Sequence, residues 1–99
     1  MQQHVMITFY SEKAARKNIE LESIHFDLEA IPREGESVQI PLSMLKKVDP
    51  NFALVYKDTK NNSPIDFIVI DISHAFWEGE DAWQHGVIAT IQEANELQD

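Results

Sequence analysis

The 99-residue sequence contains no cysteine. That excludes disulfide staples, thiolate nucleophiles and thiolate zinc sites in any compartment. Small secreted domains often depend on such staples, so their absence favours the cytoplasm. Glycine is scarce as well: Gly35, Gly79 and Gly86 lie too far apart to form a phosphate-cradling loop. Long apolar runs are missing. The longest, residues 52–56 and 67–70, fall far short of the roughly 20 residues that a membrane helix needs. The opening residues, MQQHVMITFY, lack a basic segment followed by a long apolar one, so no signal peptide is expected. Most telling is the loss of positive charge along the chain. Residues 1–60 carry all eight Lys and Arg against nine Asp and Glu, whereas residues 61–99 carry eight acids and no Lys or Arg.

Nearly the whole net charge of −9 therefore resides in the last two-fifths of the chain. Direct nucleic-acid binding is disfavoured, because that affinity comes mainly from Lys and Arg neutralising phosphates. Anionic membrane is disfavoured for the same reason. The natural complement is a basic protein or another cationic partner. With 43% hydrophobic residues and a chain that hides roughly two-thirds of its unfolded surface, one core and a single domain over residues 1–99 are expected.

The hydrophobic pattern mostly has a period of two. Val5, Ile7 and Phe9 alternate with Met6, Thr8 and Tyr10, and Ile24, Phe26, Leu28 and Ala30 alternate with His25, Asp27 and Glu29. A parity change between Leu21 and Ile24 suggests a bulge or bend near Glu22 and Ser23. Pro32 and Gly35 then make a turn that leads into a short strand at Val38 and Ile40, ended by Pro41. Leu42, Leu45 and Val48 recur at helical spacing, with Ser43 a candidate cap and Pro50 a stop. Residues 11–18 read as a second helix capped by Ser11, or as a loop. Residues 52–57 read as a strand or an extended connection, and residues 58–64 are dense in turn formers.

Residues 65–77, IDFIVIDISHAFW, form the strongest strand. Both faces are apolar over residues 67–70, which predicts a central strand covered on both sides. Unbroken alternation sets Phe67, Val69, Asp71 and Ser73 on one face. It sets Ile68, Ile70, Ile72 and His74 on the other, with His74 pointing inward. Residues 78–86 read as a loop, residues 87–91 as a last strand, and residues 92–99 as helix by composition. Together these features predict a mainly β fold. It is a small, strongly bent antiparallel sheet or partly open SH3-like barrel of five or six strands, with one or two short helices.

The stretch FDLEAIPREGESVQI, followed by DFIVIDISHAFW and HGVIATIQ, resembles small bacterial proteins of unassigned function encoded by phages and mobile gene cassettes, including integron cassettes. The resemblance rests on a strand, a P-x-x-G-[DE] turn (here Pro32 to Glu36), a second strand, a V-x-x-I-x-H strand (Val69, Ile72, His74) and a last short strand. It implies a compact bent sheet of barrel character and commonly a homo-oligomer, and it implies no activity.

Candidate chemistry is sparse. The histidines His4, His25, His74 and His85 show no helical metal spacing. His25, Asp27 and Glu29 share one strand face, and alternate residues lie about 6.6–6.8 Å apart there, so a shared ligand would need help from a neighbouring strand. His74 at the rim of an apolar cavity would suit a general base or a ligand contact. The strongest signal is FWEGEDAWQHG. Phe76, Trp77 and Trp83 flank Glu78, Glu80 and Asp81 with no neutralising base. Indoles give large contact area at little entropic cost, and carboxylates beside them select cationic partners.

The expected function is accordingly a non-enzymatic, homo-oligomeric, acidic protein-interaction module that uses this Trp-bearing loop, with no cofactor and no metal. The alternatives are a small-molecule binder or modest enzyme with a pocket near His74, and an acidic mimic of nucleic acid.

Overall fold

The computed structural model describes residues 3–57, 59–60 and 62–97, so the first two residues, positions 58 and 61 of the turn-dense segment and the last two residues lie outside the description. Among the described residues the chain forms five strands: β1 (Gln3–Tyr10), β2 (Ile24–Leu28), β3 (Ser37–Pro41), β4 (Pro64–Glu78) and β5 (Trp83–Glu93). Three short helices accompany them, α1 (Glu12–Arg16), α2 (Leu42–Val48) and α3 (Phe52–Val55), and a 3₁₀ turn closes the chain at Ala94–Leu97. None of these helices is long and apolar enough to cross a membrane.

The sheet order is β2-β1-β5-β4-β3, curled into a half-barrel. β1 with β2, β3 with β4 and β4 with β5 are antiparallel, but β1 and β5 run parallel. The sheet is therefore mixed rather than wholly antiparallel. A parallel pair needs a long connection. Here it joins the first strand to the last, and the rest of the domain serves as the crossover.

The core sits at one end of the half-barrel. Leu42 and Leu45 of α2 and Phe52 and Val55 of α3 are buried against Phe67, Val69, Ala89 and Ile91 of the sheet. Phe9 meets Phe52 edge-on at 4.9 Å and Phe67 at 5.5 Å between ring centroids, an arrangement that aromatic rings favour. Burying side chains of this size stabilises the fold by about 1.5–3 kcal/mol each. Ile19 and Leu21 also pack on this cluster, but the strand starts only at Ile24. Where a bend was expected, the Glu22 N–H donates to Asp49 Oδ2 at 3.1 Å.

Several local expectations hold. Ser11 caps α1, its hydroxyl accepting from the Ala14 N–H at 3.1 Å. Gly35 adopts φ +88°, the left-handed conformation that the turn after Pro32 requires. Its N–H donates to the Val69 carbonyl at 2.8 Å, which ties the turn to β4. Others are corrected. Residues 52–55 are helical, because Phe52, Val55 and Tyr56 must reach one buried cluster, as spacings of three and four residues allow. Ser43 lies inside α2, whose N-cap is Pro41.

The largest correction concerns β4. Val69 pairs with Ile91 and Asp71 with Thr90, so Ile70 is an extra residue that reverses the alternation. Ile72 and His74 consequently join the face of Phe67 and Val69, opposite the buried Ala89 and Val87, while Asp71, Ser73 and Trp77 fall on the outer face. Ile68 and Ile70 are half-buried rather than covered, because β4 carries helices on one side only.

At the core end a polar clasp closes the molecule. Glu96 accepts from the N–H groups of Glu12 (3.0 Å) and Lys13 (3.2 Å) and from the Gln92 amide (3.1 Å). Lys13 pairs with Glu93 at 3.1 Å. Burial, followed by the charges of Glu93 and Glu96, pushes the Tyr56 phenol far above its ordinary value, with a bond to Ser11 acting the other way. For Glu96 itself, burial alone would raise the pKa. The bonds from Glu12, Gln92 and Lys13, with the Lys13 charge, outweigh it and hold the carboxyl below its ordinary 4.5. A carboxyl held low in the fold adds stability above its unfolded pKa, and that stability is lost as pH falls through the folded value. Glu96→Gln is therefore expected to be less stable than wild type at neutral pH, with the gap closing as pH falls below 4.5. Urea unfolding at a series of pH values reads this, and a gap constant with pH would contradict the clasp.

Candidate functional site

β4 spans 15 residues, about 50 Å at a strand's rise of roughly 3.3 Å per residue, and the molecule is 47 Å along its longest axis. The β4–β5 hairpin thus sets the length of the protein. On one side, β3 pairs with β4 only as far as Ile68, and the last backbone bonds from that side reach Val69. On the other, among the described residues, β1 reaches β5 no farther toward the tip than Gln3, whose amide donates to the His85 carbonyl at 3.1 Å. Beyond these points the hairpin is a two-stranded arm. Glu78 pairs with Trp83, and the Gly79 N–H donates to the Ala82 carbonyl at 2.9 Å, so the turn is only four residues long. The segment 78–86, expected as a loop, is mostly strand. The alternation of Val87, Ala89 and Ile91 continues toward the tip through His85, which sequence reading stopped short of.

The arm carries most of the predicted partner-binding residues. Phe76 is 68% exposed and Trp77 46% exposed. They are consecutive, so they emerge on opposite faces. Glu78, Glu80 and Asp81 are exposed around the turn. The side chain of Trp83 lies outside the described residues; its backbone is the first residue of β5. The indole of Trp77 rests across Gly86 so closely that a Cβ there would meet Cη2 and Cζ3 at 3.2 Å. Gly86 is thus the seat of one aromatic, a role that sequence reading missed.

His74 lies on the core-facing side but beyond the core, and it is exposed. Its Nδ1 is 2.8 Å from Nε2 of His85. The rings are nearly coplanar (8°) with centroids 5.1 Å apart, so they meet edge to edge through a hydrogen bond rather than face to face. Phe76 stacks on the other side of His85 at 4.7 Å. Such a pair needs one donor nitrogen and one acceptor, so adding a proton to both rings breaks it. His85 was missed as a partner, although a hairpin centred on Glu80 and Asp81 brings positions 74–76 and 85 together.

A second imidazole pair occupies the outer face. His4 Nε2 lies 3.1 Å from His25 Nδ1, and His4 Nδ1 lies 3.4 Å from Asp27 Oδ1. The neighbouring strand does supply the extra group that His25 and Asp27 would need to share a ligand. The two nitrogens of His4 point to different partners, however, so the donors do not converge, and no metal-holding group of three exists among the described residues.

Comparison of the chain with protein-family models, with curated proteins and with solved structures finds no match. The arm must therefore be read from its own chemistry. It offers two exposed aromatic side chains, a carboxylate turn and an imidazole pair, and from residue 61 onward it has no Lys or Arg to neutralise the acids.

Gly86→Val is expected to unseat Trp77 and to cost on the order of 1–3 kcal/mol by overpacking. The indole N–H cross-peak of Trp77 in a ¹H–¹⁵N spectrum should move by far more than the surrounding amides. An unmoved cross-peak would show that the indole does not rest on Gly86.

Proposed function

We propose that this protein is a non-enzymatic, acidic interaction module, homo-oligomeric and cytoplasmic, that grips a basic protein partner with the β4–β5 arm. The observation that carries this reading is the coincidence of Phe76 and Trp77, 68% and 46% exposed, with the exposed carboxylates of Glu78, Glu80 and Asp81 on a projection that the other described residues leave uncovered. Full burial of a side chain such as Phe is worth about 1.5–3 kcal/mol, which the isolated chain leaves unrealised at the arm. Aromatic side chains of this kind are frequent anchors of interfaces, and surrounding charge of one sign selects the partner and speeds encounter. The self-associating part of the proposal is what the sequence's resemblance to small cassette-encoded proteins implies.

Calorimetric titration with a synthetic peptide of alternating Lys and Leu tests the arm. Phe76→Ala and Trp77→Ala should each weaken binding about tenfold or more, and Glu78→Gln/Glu80→Gln/Asp81→Asn should weaken it further. Equal affinity of wild type and all variants would reject the arm as the binding surface.

A further inference from the structure

The fold places a complement to the arm at the opposite end of the same molecule. β5 runs from Trp83 beside the acidic turn to Glu93, where Glu93 meets Lys13 of α1. Beside that contact lies a small cleft of ≈ 230 Å³ lined by Lys13 and Arg16 of α1, by Lys17 at its C-cap, and by Val55 and Lys57. Lys13 is engaged by Glu93, and Arg16 is held only at 3.8 Å by Glu12 across an exposed helix turn. Lys17 reaches the carbonyl of Leu54 at 3.0 Å, and Leu54 is itself 54% exposed. An exposed aliphatic residue, Leu54, thus adjoins a cleft lined mainly by cations. The arm pairs exposed aromatics with a group of anions.

We infer that the basic partner of the arm is a second copy of this chain, whose α1–Lys57 cleft receives the arm tip head to tail. The inference rests on the arm reading above and supplies its occupant. Two independent features match: aromatic Trp77 against Leu54, and Glu78, Glu80 and Asp81 against Arg16, Lys17 and Lys57. The net charge of −9 on each copy opposes association at long range. At about 0.1 M salt, charges more than about 10 Å apart are largely screened, and the local match of sign decides. The two surfaces differ, so the interface is heterologous: each copy uses its tip on one neighbour and its cleft on another. Such contacts build closed rings or open filaments rather than a two-fold dimer.

Analytical ultracentrifugation of the full chain over a range of concentration and salt tests this. Wild type should form a concentration-dependent series of species that weakens about tenfold or more between about 0.1 M and about 0.5 M salt. Glu78→Lys/Glu80→Lys/Asp81→Lys should be monomeric alone, as should Arg16→Glu/Lys17→Glu/Lys57→Glu. These side chains are exposed, and circular dichroism checks that both variants fold. Mixed in equal amounts, the variants present opposite charges at both contacts, and association should return. Adding Trp77→Ala to the mixture should weaken it again, which separates docking from unspecific attraction of charge. A monomeric wild type, or an oligomer that survives in either reversed variant alone, overturns the inference. If wild type is monomeric while the alternating Lys/Leu peptide still binds through Trp77, the arm reading stands and its partner is a foreign protein.

Discussion

Between Phe67 and Glu78, Ile70 is the one residue of β4 that β5 does not answer, and the rest of the arm depends on it. Pairing passes from Val69 with Ile91 to Asp71 with Thr90, so every side chain beyond this point changes face. Without the extra residue, Asp71 and Ser73 would face inward, opposite the apolar interior. With it, Ile72 extends the core and the two charged or hydroxylated residues turn outward. A bulge also bends its strand and adds local twist. It stands where β4 leaves the shelter of β3, whose last backbone bonds reach Val69.

The two ends of the hairpin do different work. At the core end, Phe9, Phe52, Tyr56 and Phe67 interlock, and the clasp of Glu96, Gln92, Lys13 and Glu93 joins the last turn to α1. That clasp satisfies N–H groups at the start of a five-residue helix, far too short to hold itself together. At the other end, β4–β5 pairing, the seat of Trp77 on Gly86 and the contacts of His85 with His74, Phe76 and Gln3 maintain the arm. Stability concentrated at one end leaves the other free to carry exposed aromatics without endangering the fold.

The sequence was most legible where local chemistry dictates structure. Ser11 as a cap, the turn of Pro32 and Gly35, and the alternation in β1 each follow from a few neighbouring residues, whereas in β2 Phe26 is exposed although its alternation suggested a buried face. Faces and termini of β4 were not legible, since a bulge leaves no mark in an apolar run: either face of FIVI accepts isoleucine or valine equally well. Residues 52–55 misled for a related reason, because β-branched and aromatic residues suit a strand until a packing partner requires spacings of three and four. The arm residues were read as a loop, since Glu, Gly and Asp suggest a long irregular segment where a four-residue turn suffices.

A two-stranded arm with open edges and uncovered aromatics is an invitation to unregulated pairing. Natural edges are commonly protected by charge, and lysine is the usual choice. Here the guards are Asp71, Glu78, Glu80 and Asp81, all negative, with no Lys or Arg beyond residue 60 to offset them. Two arms brought side by side would set carboxylates near carboxylates, and that repulsion opposes edge-to-edge association. The same charges leave a cationic surface free to approach the tip. Negative charge on this arm therefore both blocks the wrong contact and favours the right one, which is why its single sign matters more than its amount.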